Sequence, residues 1–174
     1  IESNGVSAGG GSGRWGAYWN PTVFNADSEA YLTYNNLNAI ELFACLRLVN
    51  IGSGTTDGYC VSGEDAAGLI KLWRDDNESV TQIGTSVSQA FTNGDRIGIT
   101  AIGNQICSYF SDNGGAWVQK ACVTDSTYSA GGRIGLMANG NVTQALGDDF
   151  GGGNVGGGGG GPSPRRRSAP VVFR

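Results

Sequence analysis

The chain contains no histidine. That single absence removes the commonest general base, the Ser-His and Cys-His nucleophile pairs, and imidazole-ligated metals. Charge is also scarce, at 15% Asp, Glu, Lys and Arg against roughly 25% in ordinary soluble domains. No apolar run approaches the ~18 residues of a membrane-spanning helix, so no membrane insertion is expected, and a chain opening on Ile1 reads as a processed, soluble one. Glycine is abundant instead, at 31 of 174 residues, beside 39% hydrophobic residues, enough for one core in one domain. Turn-rich β structure fits that balance and a helix bundle does not.

Composition divides the chain into three segments. Residues 1–13 include a Gly/Ser-rich stretch from Ser7 to Gly13 and are expected to be flexible. Residues 14–150 form the domain. Residues 151–174 form a tail with nine glycines between Gly151 and Gly161, a Pro/Ser/Arg-rich stretch to Pro170, and the run Val171-Val172-Phe173. The composition reads as flexible linker, stiff spacer and adhesive end. Charge divides the same way: residues 1–150 hold all fifteen acids and seven bases, net −8, whereas Arg165, Arg166, Arg167 and Arg174 make the tail +4.

Strand signals recur at Glu29–Tyr34, Ile40–Val49, Gly58–Val61, Leu69–Trp73, Val80–Ile83, Arg96–Ile102, Gln105–Phe110, Trp117–Thr124, Arg133–Met137 and Val142–Leu146. Gly/Asn turns and short spacings predict an antiparallel two-sheet sandwich. With Gly103-Asn104 and Gly114-Gly115 as two-residue hairpin turns, paired residues sum to 207 and then 229. One face then collects Ile97, Ile99, Ala101, Ile106, Ser108, Phe110, Trp117, Gln119, Ala121 and Val123. That face is the core side, because a one-residue slip would turn it to solvent.

The same register sets Cys107 opposite Cys122, where directly opposed side chains are close enough for a disulfide. Cys45 and Cys60 share the 15-residue spacing and flank turn residues, which selects Cys45–Cys60 and Cys107–Cys122 from three connectivities. A four-thiolate zinc site is disfavoured, because such sites bring cysteines in close pairs. Two hairpin disulfides imply an oxidising, secreted or cell-surface setting.

Gly94-Asp95-Arg-Ile-Gly-Ile99, Ala101-Ile-Gly-Asn-Gln-Ile106, Thr124-Asp125-Ser-Thr-Tyr128, Gly131-Gly-Arg-Ile-Gly-Leu136 and Asp148-Asp149-Phe150 follow one another in a recognisable order. Over about residues 15–150 the chain resembles the concanavalin A-like, laminin G-like jelly-roll domains of secreted and surface proteins. The resemblance implies an all-β jelly roll in which Asp125, Tyr128 and Gly131-Gly132 order a loop between sheets. Some relatives are glucanases with a Glu-x-Asp-x-x-Glu strand motif, and this sequence has no such triplet. The adjacent pairs Glu64-Asp65, Asp75-Asp76 and Asp148-Asp149 point to opposite faces of a strand, whereas a glycosidase needs two carboxyls about 5 to 9.5 Å apart across one bond. The expectation is therefore no enzyme and no catalytic residue.

Other relatives bind glycans or calcium. Trp15, Trp19 and Trp73 are candidate sugar-stacking residues, with Tyr18 and Trp117 as further aromatics, and core or sheet-cover roles compete with that use. Asp27, Asp148 and Asp149 are the oxygen ligands a structural Ca²⁺ would use, and the simpler role of solvated turn carboxylates is favoured over it; no other metal and no cofactor are expected. Asn77-Glu-Ser79 and Asn141-Val-Thr143 are glycosylation acceptors, while Asn20-Pro-Thr22 is blocked by proline.

The tail suggests a second kind of function. Its 24 residues extend up to roughly 80 Å at about 3.3 Å each, beyond the roughly 40 Å diameter of its own domain. Its positive charge complements a negative neighbour. Ser168 to Arg174 would add as a strand to a sheet edge, Val171 and Phe173 on one face, Val172 on the other, and Pro170 at the start. The expectation is a structural subunit that assembles head-to-tail into a filament, its partners other copies of itself. The alternative is a lectin-like carbohydrate-binding module whose partner is a glycan. Nucleic acid is not an expected partner, since the body is acidic and the arginines are few.

Overall fold

Apolar residues at every second position of two segments joined by Gly103-Asn104 are buried together only on one face of a pleated pair. The pair forms as that pattern requires: Ile97, Ile99, Ala101 and Ile106 are fully buried and Phe110 is nearly so. A computed structural model describes residues 6–7, 14–35, 41–139 and 145–156, with the backbone alone at 6–7, 14–15 and 145–146. The strands are β1 (Val6–Ser7), β2 (Arg14–Tyr18), β3 (Ser28–Tyr34), β4 (Glu41–Val49), β5 (Asp57–Glu64), β6 (Leu69–Asp76), β7 (Ser79–Ser88), β8 (Arg96–Ile102), β9 (Gln105–Ser111), β10 (Val118–Thr124), β11 (Arg133–Asn139) and β12 (Ala145–Asn154). They make two antiparallel six-stranded sheets, ordered β1-β12-β3-β8-β9-β10 and β2-β11-β4-β5-β6-β7, hereafter the first and second sheet. The described residues contain no α-helix. The core is the seam between the sheets, with Leu32, Tyr34 and Ile97 of the first meeting Leu46, Tyr59, Val61 and Ile70 of the second.

Both hairpins test the predicted register. Strands β8 and β9 pair at the expected sum of 207 from Ile102↔Gln105 to Arg96↔Ser111. Gly103 takes φ 55° while Asn104 keeps a negative φ, the pattern of a turn with positive φ at its first central position. The β9–β10 pair keeps the expected 229 only from Gln105↔Thr124 to Ser108↔Ala121. A bulge at Lys120 then shifts it to Tyr109↔Gln119. The connection is also no two-residue turn, because a 3₁₀ turn occupies Asp112–Gly114 and β10 starts at Val118. The extra residue reverses the faces beyond it. Trp117 and Gln119 therefore leave the predicted core face: Trp117 packs against Tyr31 at 6.0 Å between centroids, and the Tyr109 hydroxyl donates to Gln119.

Strands are found in both flanking segments. The last strand, expected at Val142–Leu146, is described from Ala145 on, residues 142–144 lying outside the described residues; β12 then runs through the glycine-rich stretch to Asn154, paired with Ser28 of β3. Glycine is required there, because a Cβ on Gly152 would lie 2.2 Å from the Glu29 carbonyl oxygen. At the other end Val6 and Ser7, expected in a flexible segment, pair with β12.

Both predicted disulfides form, Cys45–Cys60 on β4–β5 and Cys107–Cys122 on β9–β10. The loop implied by the resemblance is ordered as expected. Asp125 accepts from the Tyr59 hydroxyl at 2.6 Å, from Arg74 at 3.0 Å and from the Thr127 amide at 2.8 Å. The Tyr128 hydroxyl lies 2.6 Å from Asp76 Oδ1 and 3.1 Å from Asp57 Oδ1. Gly131 and Gly132 approach backbone that a Cβ would strike, Phe24 O at 2.2 Å and Arg47 C at 2.5 Å.

Candidate functional site

Alternation in β4, β5, β6 and β11 sends Ala44, Leu46, Val61, Leu72 and Leu136 inward, so their neighbours in sequence form the outer face of the second sheet. Across that face Tyr18, Gly135, Cys45, Cys60, Trp73 and Gln82 are successive Cα partners on all six strands. Tyr18 and Trp73 are thus four strand spacings apart, roughly 19 Å. Phe43, Cys45 and Cys60 are buried between them, packed with Tyr18, Trp73 and Met137. The disulfide therefore fixes the spacing of the two central strands beneath the aromatic side chains.

Trp73 is the best-held aromatic of this face. Its Nε1 donates to Ser62 Oγ at 2.7 Å, and Lys71 Nζ lies 5.7 Å from its ring centroid, within cation–π range. Lys71 forms an ion pair with Glu64. On the far side Gln82 Nε2 donates to Gly84 O and Ser86 Oγ at 3.1 and 3.2 Å. The result is a half-buried indole with a hydroxyl, an ammonium, a carboxylate and an amide around it. An apolar ring face with convergent polar groups suits a polyhydroxylated ring, which offers C–H faces for stacking and hydroxyls for orientation.

The cross-strand register also brings together a pair that no reading of adjacent acids finds. Glu41 and Glu64 are direct partners on this same outer face, so their Cβ atoms lie about 4.5 to 5.5 Å apart. Glu41 Oε1 is buried without a hydrogen-bond partner among the described residues, whereas Glu64 is held by Lys71. The signal was present in sequence only as the Cys45–Cys60 register, which fixes Glu41 opposite Glu64.

The remaining candidates are dispersed. Trp19 is partly buried and packs against the main core, its amide bonded to Ile134 O. Trp15 stands on β2 opposite Ala138. On the opposite sheet Arg96 lies 5.0 Å from the Trp117 ring, so Trp117 is enclosed between Arg96 and Tyr31. The proposed calcium ligands do not converge: Asp27 precedes the Ser28↔Asn154 end of the β3–β12 ladder, while Asp148 pairs with Thr33 at its other end. Asp27 Oδ1 instead accepts from Gly103 N at 2.8 Å, and among the described residues no three metal-ligating side chains cluster. Asn77 is exposed in the β6–β7 turn. Asn141 and the tail residues Arg165, Arg166, Arg167, Pro170, Val171, Val172, Phe173 and Arg174 lie outside the described residues.

No protein-family model matches this sequence, and no curated protein matches it. Solved structures do match in fold. The carbohydrate-binding module CBM66 from Bacillus subtilis superposes with a TM-score of 0.59 at 16% identity, covering 83% of this chain and 81% of that one. The exoplasmic/lumenal domain of VIP36, in its Ca²⁺/Man3GlcNAc-bound form, gives 0.54 at 10% identity over 76% and 70%. The fold is that of a concanavalin A-like jelly roll. The Bacillus licheniformis β-glucanase shares the fold, with a TM-score of 0.51 at 12% identity over 79% of this chain and 75% of that one. At such identities the jelly roll is common ground, and any activity has to be argued from this chain's own residues.

Proposed function

We propose that this jelly roll is an extracellular carbohydrate-binding module and that the outer face of the second sheet, centred on Trp73, receives the glycan. The observation that carries the reading is a half-buried indole held by Ser62 and bordered by the Lys71–Glu64 pair. A fixed aromatic loses little freedom on binding, and the ion pair offers both a donor and an acceptor to sugar hydroxyls. Two disulfides favour an oxidising compartment, and exposed Asn77 is the proposed glycan acceptor of the chain itself. The role is binding rather than catalysis: Lys71 neutralises one carboxylate of the Glu41–Glu64 pair, and no histidine stands in for it.

Glycan-array screening followed by titration of the Trp73→Ala variant tests the assignment. The expected result is saturable binding by the parent chain, weakened at least tenfold in the variant, about 1.4 kcal/mol, with an unchanged circular dichroism spectrum. Equal affinity in the two proteins removes Trp73 from the site. Release of reducing ends from a bound glycan, lost in Glu64→Gln, would establish a hydrolase instead.

A second reading, head-to-tail assembly through residues 165–174, is favoured by the charge split of −8 in residues 1–150 against +4 in the tail. Electron microscopy of the full chain beside a form lacking residues 162–174 separates the two. Filaments lost on truncation support assembly; glycan binding retained without filaments in either sample supports the module.

A further inference from the structure

At one end of the same sheet face, β2, β4, β11 and their loops border an open cavity of about 390 Å³. Its apolar lining includes Leu48 and Ile51, with Val23, 63% exposed, at the rim. The Tyr18 ring and the Arg133 guanidinium share one wall, 5.7 Å apart. Gly131 and Gly132 supply another, held against Phe24 and Arg47 so closely that neither tolerates a Cβ. The site is therefore rigid on its glycine side, and Asn50 is fixed by donating from Nδ2 to Asp57 Oδ2 at 2.7 Å, which leaves Asn50 Oδ1 as an acceptor.

Its charge is unlike that of the rest of the molecule. Residues 1–150 carry a net −8, yet among the described residues no Asp or Glu lines this cavity, and Arg133 is the one cation of that lining. Arg133 donates through Nη1 to Asn20 O and has no carboxylate partner among the described residues. Asp57, behind Asn50, is already engaged by the Asn77 amide at 2.8 Å and by the Tyr128 hydroxyl. A guanidinium has five donors in a fork that matches a carboxylate, so Arg133 retains donors for an anion. An apolar floor, one unpaired guanidinium and one amide acceptor select a ligand with a hydrocarbon face, a carboxylate and a hydroxyl.

We infer that this cavity is a subsite for a carboxylate-bearing sugar, a hexuronate residue of an acidic glycan, with Arg133 binding the carboxylate and Asn50 Oδ1 accepting from a ring hydroxyl. The sugar class rests on the carbohydrate-binding reading above; the carboxylate specificity rests on Arg133 alone. Because the cavity and Trp73 share one face, roughly 19 Å apart along the Tyr18–Trp73 row, one oligosaccharide is able to touch both.

Amide-resolved NMR titration of the full chain with glucuronate, glucose and acetate tests it. Glucuronate is expected to shift the Asn50, Gly131, Gly132 and Arg133 amides to saturation, and glucose and acetate to leave them in place. Arg133→Gln is expected to weaken glucuronate at least tenfold. Val23→Glu, which adds a like charge at an exposed rim and disturbs no core contact, is expected to do the same even where Arg133→Gln fails to fold. Trp73→Ala should leave the glucuronate shifts intact, so failure of the Trp73 face and failure of this cavity are distinguishable. Three results overturn the subsite: unmoved amides, equal shifts from glucose or acetate, or undiminished glucuronate binding in Val23→Glu.

Discussion

Arg47 is the largest fully buried side chain, and its three donor atoms reach three segments. Nε donates to Ala26 O at 2.8 Å, Nη1 to Tyr128 O at 2.9 Å and Nη2 to Gly103 O at 2.6 Å. Burial lowers its pKa from the ordinary value. Beside it, burial raises the pKa of Asp125, but hydrogen bonds from Tyr59, Thr127 and Arg74 outweigh that effect and bring it down to about 2. A carboxyl whose folded pKa is depressed contributes stability above its unfolded pKa near 4 and loses it as pH falls through the folded value. The parent chain is expected to lose about 2 kcal/mol between pH 4 and pH 2 that Asp125→Asn does not lose, read from thermal unfolding of both proteins across that range. Parallel curves would mean that Asp125 is not stabilised as a carboxylate. Asp125 and Tyr128 were recognisable in the sequence through their motif, whereas Arg47 was not. Between Leu46 and Leu48 it reads as the outward residue of an alternating strand, and only φ 51° turns it beneath the loops and Leu48 onto the opposite face.

At the scale of elements, legibility followed side-chain pattern. The β8–β9 hairpin was readable because Gly103-Asn104 dictates the turn and the apolar alternation runs unbroken into it. The β9–β10 register was readable from the cysteines outward to Ser108 and Ala121, then failed at Lys120, because a bulge is one extra residue without a sequence signature. The end of β12 was invisible for a different reason: Gly151-Gly152-Gly153 has no side-chain alternation, and its pairing depends on room that only backbone geometry shows. The cross-strand half of the candidate site, Glu41 against Glu64, inherits its legibility from Cys45–Cys60. These cysteine pairs also constrain the unfolded chain. Closing a loop with a separation of 15 residues is worth about 3 kcal/mol in the chain-entropy model. The double variant Cys107→Ala/Cys122→Ala is expected to lose that amount in urea unfolding while keeping its glycan affinity, since this disulfide lies in the sheet that does not carry Trp73. Loss of affinity at unchanged stability would show that the two sheets are coupled.

For the whole molecule, the proposed binding role falls to one sheet of the two. The first sheet carries the Tyr31–Trp117–Arg96 stack, and the second keeps Trp73 partly exposed and holds the Arg133 cavity at its loop end. Charge then sets how an acidic glycan approaches. The body is −8, and four tail arginines bring the chain to −4, so removing residues 157–174 doubles the net negative charge without touching any described element. Like-charge repulsion slows encounter at low ionic strength and fades once the Debye length, about 10 Å at 0.1 M salt, falls below the separation of the charges. The truncated chain is therefore expected to associate more slowly than the full chain with a hexuronate oligosaccharide at 10 mM salt, and at the same rate at 0.5 M, while a neutral oligosaccharide binds both forms alike at either salt. Stopped-flow intrinsic tryptophan fluorescence, with Trp73→Phe as the control that isolates its share of the signal from the other three tryptophans, reads every combination of chain form, salt and oligosaccharide. A difference that persists at 0.5 M would assign the tail a direct contact with the glycan instead of a share in the long-range field, and equal rates at 10 mM would show that the field at the Arg133 end is set locally, by the exclusion of acids from its lining.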